Sequence, residues 1–277
     1  MSEQVELVSF EIAINDFRKI LQWISAPFDT DKYNQAYINI AEDELRGIAS
    51  AGNSVASYGT FREPYIKNID LHDSIDKKAG AESIIRIPQT QNYLDFVGGK
   101  DIEVSIYGPE GERGTRMEIA GDLSADIYIP NSREDYGSKA LKVTEFYNED
   151  NLWIKNNGEP LKTSFVTNAN EFQRVVDVVD FDSFALANYP VVVENGEFVL
   201  NASDENNRDS VSGKLYAKDI QGPDVSNVYS RGFDKLFSNI SGEIDVHLED
   251  DALMTVVRES DDGSMTLRYS MLPAVSG

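Results

Sequence analysis

The chain has 277 residues, of which 41% are hydrophobic, enough for one large domain or for two smaller domains that each bury a core. Its 48 acidic and 25 basic residues give a formal net charge of -23, which opposes tight binding to a polyanion unless the cations gather on one surface. Cysteine is absent, which excludes disulfides, thiolate zinc sites and cysteine nucleophiles and is compatible with a reducing compartment.

The chain lacks the patterns that direct a protein into or across a membrane. No run of about 18 apolar residues occurs, and the start MSEQVELVSF has neither the basic nor the apolar region of a secretory signal. We therefore expect a cytoplasmic protein with no membrane partner. The acidity has a simpler interpretation as well, namely that it confers solubility, for example in a salty cytoplasm.

The strongest pattern is a repeat that begins near the amino terminus. The segment from Ser9 to Ile24 matches the segment from Ser164 to Val179 with one constant offset. Each copy has a Ser-Phe strand, then an Asn and an acidic residue suited to a helix start, and then apolar residues at helical spacing. Both copies therefore predict a strand followed by a helix.

A second repeated pattern lies further along each half. Leu94 with Asp101 to Val104 matches Leu236 with Glu243 to Val246, and in each copy a short helix runs into a strand through a glycine-containing turn. Because two matched pairs occur in the same order, we interpret the chain as a duplication.

The predicted fold class is α+β, with two topologically similar domains whose helices lie on one face of antiparallel sheets. The amino-terminal domain covers 1–130 and the carboxy-terminal domain covers 161–277. The stretch 131–160 is rich in Asn, Glu and Asp with little periodicity, and it is predicted to be an interdomain connecting loop. The turn Glu194-Asn195-Gly196 predicts a hairpin leading into the strand from Phe198 to Ser203.

The predicted helices are amphipathic. Their apolar stripes are Phe17, Ile20, Leu21 and Ile24 in the first, Phe172, Val175, Val176 and Val179 in the third, and Phe233, Leu236, Phe237 and Ile240 in the fourth. The polar residues on the opposite faces, with one just beyond the second helix, are Arg18, Lys19, Gln22, Lys100, Arg174, Arg231 and Lys235. Each of these residues is also compatible with an ordinary solvated helix face.

No pattern typical of an enzyme is present. Neither His72 nor His247 has Cys, His or Asp neighbours at metal-ligand spacing, and no nucleophile elbow, phosphate loop or dinucleotide fingerprint occurs. Paired carboxylates such as Asp261-Asp262 are best interpreted as surface turns, and a glycosidase-like use of two carboxylates is the least favoured alternative. We expect a non-enzymatic protein without a cofactor or a metal.

The last third of the chain resembles a known family. Gly242-Glu243-Ile244-Asp245-Val246 leads through the acidic turn Glu249-Asp250-Asp251 to the ending Leu267-Arg268-Tyr269-Ser270-Met271-Leu272-Pro273-Ala274-Val275. That ending is similar to the Leu-x-Tyr-x-Leu-Ala-Pro-x-Ile with which DNA sliding clamps of the proliferating cell nuclear antigen family end. The chain departs from the family at Ala49 to Ser54, where a Met-Asp-Pro-like stretch is usual, and in its longer, more polar linker.

The resemblance implies a ring of three two-domain subunits with the helices around a central hole, of the archaeal or viral type. It implies a DNA polymerase processivity factor that encircles duplex DNA, touches it weakly and non-specifically through the polar helix faces, and tethers replication and repair proteins. The implied partners are duplex DNA, DNA polymerase and other proteins with clamp-binding peptides, a clamp loader, and further copies of the chain. Such a protein is nucleoid-associated in a prokaryote, or acts in an infected cell if it is viral.

The resemblance also implies two protein-binding surfaces. The contact between subunits joins two sheet edges, whose residues are Arg116, Met117, Glu118 and Ile119 on one side and Ser212, Gly213, Lys214, Leu215 and Tyr216 on the other. The partner-peptide pocket is implied at an apolar patch made of Ile127, Tyr128, Ile129, Pro130, Met271, Leu272 and Pro273. Without the resemblance the two edges are interpreted as ordinary edge strands. The apolar patch is also compatible with a chain end that packs against the sheet, although its seven apolar or ring side chains favour the pocket.

Two alternatives stay open at this point. One is a clamp-like ring protein without a replication role, either a checkpoint-type ring member or a viral decoy that binds clamp partners. The other is an unrelated two-domain, β-rich binding module. The mass of the protein in solution discriminates between a ring and a monomeric module.

Overall fold

A computed structural model describes residues 4–28, 35–51, 55–129, 159–179, 188–203, 210–230 and 232–274 of the chain. Within these ranges the chain forms four α-helices and eighteen β-strands. No helix in the described part is both long enough and apolar enough to cross a bilayer.

The two halves of the chain have the same order of elements. The first half comprises β1 Gln4–Ala13, α1 Ile14–Ser25, β2 Gln35–Ile40, β3 Leu45–Ala51, β4 Val55–Phe61, β5 Ile66–Leu71, β6 Ala81–Arg86, α2 Ile87–Val97, β7 Asp101–Pro109, β8 Arg116–Ala120 and β9 Ser124–Tyr128. The second half comprises β10 Thr163–Asn168, α3 Ala169–Val179, β11 Tyr189–Glu194, β12 Glu197–Ser203, β13 Ser210–Leu215, β14 Lys218–Gln221, β15 Val225–Tyr229, α4 Phe233–Asn239, β16 Glu243–Leu248, β17 Met254–Glu259 and β18 Met265–Met271. Each half is a strand, a helix, five strands, a helix and three strands, so the predicted α+β fold of two similar domains is confirmed.

Each half builds two antiparallel sheets with matching strand orders. In the first half these are β5-β1-β7-β8-β9 and β4-β3-β2-β6, and in the second half they are β14-β10-β16-β17-β18 and β13-β12-β11-β15. β18 also pairs with β4 along seven residue pairs, from Met265 with Phe61 to Met271 with Val55. The five-stranded sheet of the second half and the four-stranded sheet of the first half therefore form one nine-stranded sheet.

The helices pack on this framework through the stripes predicted from their spacing. The predicted side chains of α1, α3 and α4 are buried, except that the side chain of Val179 lies outside the described residues. Phe172 of α3 stacks on Phe237 of α4 with ring centroids 3.9 Å apart, so the two helices share a core. Full burial of each such side chain contributes about 1.5 to 3 kcal/mol to folding.

Polar contacts tie the two halves together where β18 meets β4. The hydroxyl of Tyr269 donates to the carbonyl of Trp23 across 2.9 Å, and Asn239 Nδ2 donates to the carbonyl of Ala26 across 3.2 Å. The guanidinium of Arg258 lies over the Trp23 ring, 5.6 Å from its centroid. The junction between the halves is therefore a continuous sheet with helix-to-strand contacts above it.

The local turn predictions also hold. Asn195 and Gly196 have φ values of 52° and 73°, the left-handed pair that a two-residue hairpin requires, and they join β11 to β12. Most of the predicted linker, 131–160, lies outside the described residues, as do Pro130 and Arg231.

Candidate functional site

The polar helix faces hold most of the residues predicted to face DNA. The six that the structure describes are all exposed or partly exposed: Arg18, Lys19, Gln22, Lys100, Arg174 and Lys235. The helices lie in pairs, with α1 against α2 and α3 against α4. These polar faces are thus available for contact with a large ligand.

Carboxylates on the same faces neutralise much of this charge. Arg18 Nη2 lies 2.5 Å from Asp95 Oδ1 and so joins α1 to α2. Within single helices, Lys19 lies 3.1 Å from Asp16 and Arg174 lies 3.2 Å from Glu171. Ion pairs this exposed contribute only about 0 to 1 kcal/mol each, so they can exchange for phosphate contacts.

The charge balance of the four helices follows from their composition. The cations are Arg18, Lys19, Arg174 and Lys235, and the anions are Asp16, Asp95, Glu171, Asp177 and Asp234. Four cations against five anions give the described helices a net charge of -1. Contact with DNA through these faces would therefore be weak and easily screened by salt.

One cation near α1 was missed by the helix pattern. Arg258 of β17 lies over Trp23, and it pairs across the sheet with Leu267, so it is on the same side of the nine-stranded sheet as α1. Arg258 stands two residues after the buried Val256, and this spacing, which puts both side chains on one face of a strand, was the signal in the sequence. Arg258 is therefore a further candidate for contact on the helix side.

The free edge in the first half is one strand away from the predicted one. Arg116 to Ile119 lie on β8, which pairs with β7 on one side and with β9 on the other, so the prediction that they form an edge was wrong. The edge is β9, because β9 comes last in its sheet. Ser212 to Leu215 lie on β13, which is an edge strand, and Tyr216 follows it as an exposed side chain.

The predicted partner patch is only partly available. Ile127, Ile129 and Met271 belong to the hydrophobic core, so the prediction that they line a surface pocket was wrong. Alternation along β9 points Ile127 inward and Tyr128 outward, because successive side chains of a strand face opposite sides. Tyr128 also lies on the outermost strand of one sheet, whereas Leu272 follows β18 in the middle of another.

The chain end instead meets a strand that the prediction omitted. The backbone amide of Ala274 donates to the carbonyl of Val228 on β15 across 2.7 Å. Val228 and Leu272 are both exposed large hydrophobic residues, and Pro273 between Leu272 and Ala274 is partly exposed. This apolar surface, which we call the tail patch, consists of Val228, Leu272 and Pro273.

Comparison with known proteins gives structural matches only. No family model matches the sequence, and no curated protein matches it. Proliferating cell nuclear antigen (PCNA) of A. fulgidus, solved with the C-terminal region of FEN-1, matches with a TM-score of 0.69 at 13% identity over 98% of this chain and 100% of that one. PCNA of Entamoeba histolytica matches with a TM-score of 0.65 at 6% identity over 98% and 100%. The DNA polymerase III β subunit of Thermotoga maritima matches with a TM-score of 0.68 at 14% identity, over 99% of this chain and 67% of that one.

The chain has the DNA clamp fold. The matches to PCNA span both chains almost completely, which agrees with the two similar halves seen here. In this clamp fold the helices that carry Arg18 and Arg174 occupy equivalent positions in the two halves, as the repeat predicted. The roles of the helix faces, the sheet edges and the tail patch stay predictions.

Proposed function

We propose that the chain is a sliding clamp, a processivity factor that encircles duplex DNA as a ring of three copies and tethers DNA polymerase and other proteins to it. One observation carries the proposal. The pairing of β18 with β4 joins two half-units through a sheet edge, while the equivalent edges, β9 in the first half and β13 in the second, have no partner strand among the described residues. Copies that pair β9 with β13 would repeat the internal junction and close a head-to-tail ring.

The helix faces support weak DNA contact rather than tight binding. A ring brings the faces of α1 to α4 from all copies together around the hole, where Lys19, Arg174 and Lys235 can reach phosphates. Sliding requires that no contact be strong or base-specific, and the carboxylates on the same helices limit the strength of every contact.

The tail patch supports a role in tethering. An apolar surface of Val228, Leu272 and Pro273 can accept a short helical peptide with aliphatic or aromatic anchors. The related fold in A. fulgidus PCNA was solved with the C-terminal region of FEN-1, a segment from another protein. Polymerase, other proteins with such peptides and a clamp loader are the partners that we propose.

The near-neutral helix faces also favour a second candidate, a clamp-like ring that does not work on DNA, of the checkpoint or decoy type. The two candidates differ in how the ring is retained on DNA. A clamp that surrounds DNA stays on a closed circle and slides off once the circle is cut.

The test has two stages. Sedimentation first measures the mass, for which we expect three chains, and a strict monomer would contradict both ring candidates. The protein is then loaded on nicked circular DNA and passed through a gel-filtration column before and after linearisation. Retention on the circle with loss after cutting supports the sliding clamp, whereas no retention on either form supports the ring without a DNA role.

A further inference from the structure

The internal junction between the two halves serves as a template for a contact between copies, and the existence of that contact rests on the proposed function. The template fixes which residues correspond. Glu103 of β7 pairs with Ala120 of β8, which pairs with Ser124 of β9. In the second half, the equivalent Asp245 pairs with Val257, which pairs with Arg268 of β18. Ser124 therefore corresponds to Arg268, and the residue before each of them gives the next equivalent pair, Leu123 and Leu267.

The opposite edges correspond through a glycine. Gly59 on β4 is followed two residues later by Phe61, whose ring lies 2.8 Å from the place where a glycine Cβ would be. Gly213 on β13 is followed two residues later by Leu215, whose Cδ2 lies 3.5 Å from the position that a Cβ on Gly213 would occupy. The two glycines are therefore equivalent positions on equivalent strands.

Inside the chain, a leucine covers the glycine. Leu267 pairs with Gly59, and the Cδ2 atom of Leu267 lies 3.1 Å from the position that a Cβ on Gly59 would occupy. The absence of a side chain at Gly59 therefore makes room for Leu267. Leu267 is 1% exposed as a result, whereas Leu123 is 53% exposed. We propose that Leu123 packs over Gly213 of the next copy, in a register that pairs Leu123 with Gly213, Ser124 with Ser212 and Ala125 with Val211.

The polar contacts of the internal junction have no counterpart at these edges. Tyr269, whose hydroxyl reaches Trp23, corresponds to Ala125, and Arg258 corresponds to Gly121. Ser57 Oγ donates to the carbonyl of Ile24 across 2.5 Å, and its counterpart on β13 is Val211. The contact between copies therefore depends on sheet pairing and apolar burial.

Two exposed apolar side chains on the helices extend this contact. Phe96 projects from α2, which packs against β8 and β9, and Val178 projects from α3, which packs against β13. Val178 is the repeat counterpart of Trp23, which lies at the internal junction. In the proposed register Asp122 faces Lys214, and an exposed pair of that kind adds only about 0 to 1 kcal/mol.

The absence of cysteine from the chain makes the register directly testable. In the double variant Ser124→Cys with Ser212→Cys the new thiols are direct cross-strand neighbours with Cβ atoms about 4.5 to 5.5 Å apart, a separation that borders on the range of about 3.5 to 4.5 Å found in disulfides. Mild oxidation followed by non-reducing electrophoresis should give covalently linked multimers. The matched variant Asp126→Cys with Ser212→Cys is two residues out of register, a diagonal separation of about 7 to 8 Å, and should stay unlinked. Equal or preferential linking of the shifted pair would overturn the proposed register.

The packing of Leu123 is tested by sedimentation. Leu123→Asp should raise the protein concentration at half-assembly by about tenfold or more, because each contact loses a buried leucine and gains a desolvated carboxylate. Leu272→Asp changes a similarly exposed leucine of the tail patch, 46% exposed, and should leave assembly unchanged. If the wild-type chain forms a trimer and Leu123→Asp does not weaken it, this inference is wrong while the clamp proposal stands. If the wild-type chain is a monomer at every concentration, the proposed function itself is wrong.

Discussion

The hydroxyl of Tyr269 donates a hydrogen bond to the backbone carbonyl of Trp23 across 2.9 Å, from the last strand of the chain to its first helix. The two residues are separated by 246 positions in the sequence. Tyr269 is fully buried, and burial raises the pKa of its hydroxyl above the ordinary range of tyrosine. The donor therefore keeps its proton to a higher pH than an exposed tyrosine does, so the bond between the halves is unaffected by pH near neutrality.

Tyr269→Phe should lower the free energy of unfolding by about 1 kcal/mol, the net value of one intramolecular hydrogen bond. The loss stays near this value because the carbonyl of Trp23 also accepts from the amide of Ala26, across 3.2 Å. Urea unfolding followed by circular dichroism measures the change. Tyr128→Phe removes the same hydroxyl from a side chain that is 74% exposed, and it should change stability by less than about 0.5 kcal/mol. Equal effects of the two substitutions would contradict the role of this bond.

Reversing the helix charges should weaken DNA binding. In the triple variant Lys19→Glu, Arg174→Glu and Lys235→Glu, each lost phosphate contact should reduce the slope of log affinity against log salt by about 0.9. A short linear duplex can thread the ring without a loader, so fluorescence anisotropy at several salt concentrations measures the slope.

Lys77→Glu is the control for this triple variant. Lys77 lies in the loop before β6 and pairs with Glu42, so its reversal changes the net charge without changing the helices. The DNA affinity of Lys77→Glu should stay close to that of the wild type after correction for one charge reversal. If it weakened binding as much per residue as the helix variant, the helices would not be the DNA-facing surface.

His247 gives the stability a dependence on pH. Burial lowers the pKa of this imidazole below its usual 6.5, so between the folded pKa and 6.5 the unfolded chain binds more protons than the folded one. The contribution of His247 to stability is therefore lost as the pH falls below 6.5. Asp245 on the same strand has the opposite effect on stability at lower pH. Burial and the neighbouring Glu243 and Glu259 raise the pKa of this carboxyl above 3.8, so between 3.8 and the folded pKa the stability falls as the pH rises.

The His247 prediction is checked by unfolding at a series of pH values. His247→Gln should reduce the loss of stability between pH 7 and pH 5 relative to the wild type, since the substituted side chain binds no proton. His72→Gln changes the other histidine, which lies in a partly exposed turn and bonds to Ser74. If His72→Gln reduced the loss of stability between pH 7 and pH 5 and His247→Gln did not, the pH dependence would belong to His72 and this prediction would be wrong.

The sequence predicts the parts of this fold that depend on local periodicity. The buried stripe of α1 and the left-handed pair Asn195-Gly196 follow from spacing and turn chemistry, which act within a few residues. The duplication of the chain follows from matching the two strand-helix segments. These features are readable from residues that lie close together in the sequence.

The sheet order depends on distant contacts and was not predictable in the same way. β8 and β9 both alternate between buried and more exposed side chains, and nothing in five residues indicates which of them is the edge. The partner patch was wrong for a different reason, since contiguous apolar residues such as Ile127 and Tyr128 were treated as one surface although period-two alternation separates them. The ion pair of Arg18 with Asp95 spans 77 positions and has no sequence signal.

Asp95→Asn should strengthen DNA binding, because Asp95 is the carboxylate that holds Arg18. The substitution removes one negative charge from the helix faces and leaves the guanidinium available to a phosphate, so the affinity should rise at low salt and the salt slope should steepen by up to about 0.9. Fold stability should change by less than about 1 kcal/mol, since the pair is exposed. Asp73→Asn removes the same charge from an exposed turn before β6 and should raise the affinity much less. Anisotropy titrations of both variants at matched salt decide the point, and an unchanged slope for Asp95→Asn would mean that Arg18 does not face the DNA.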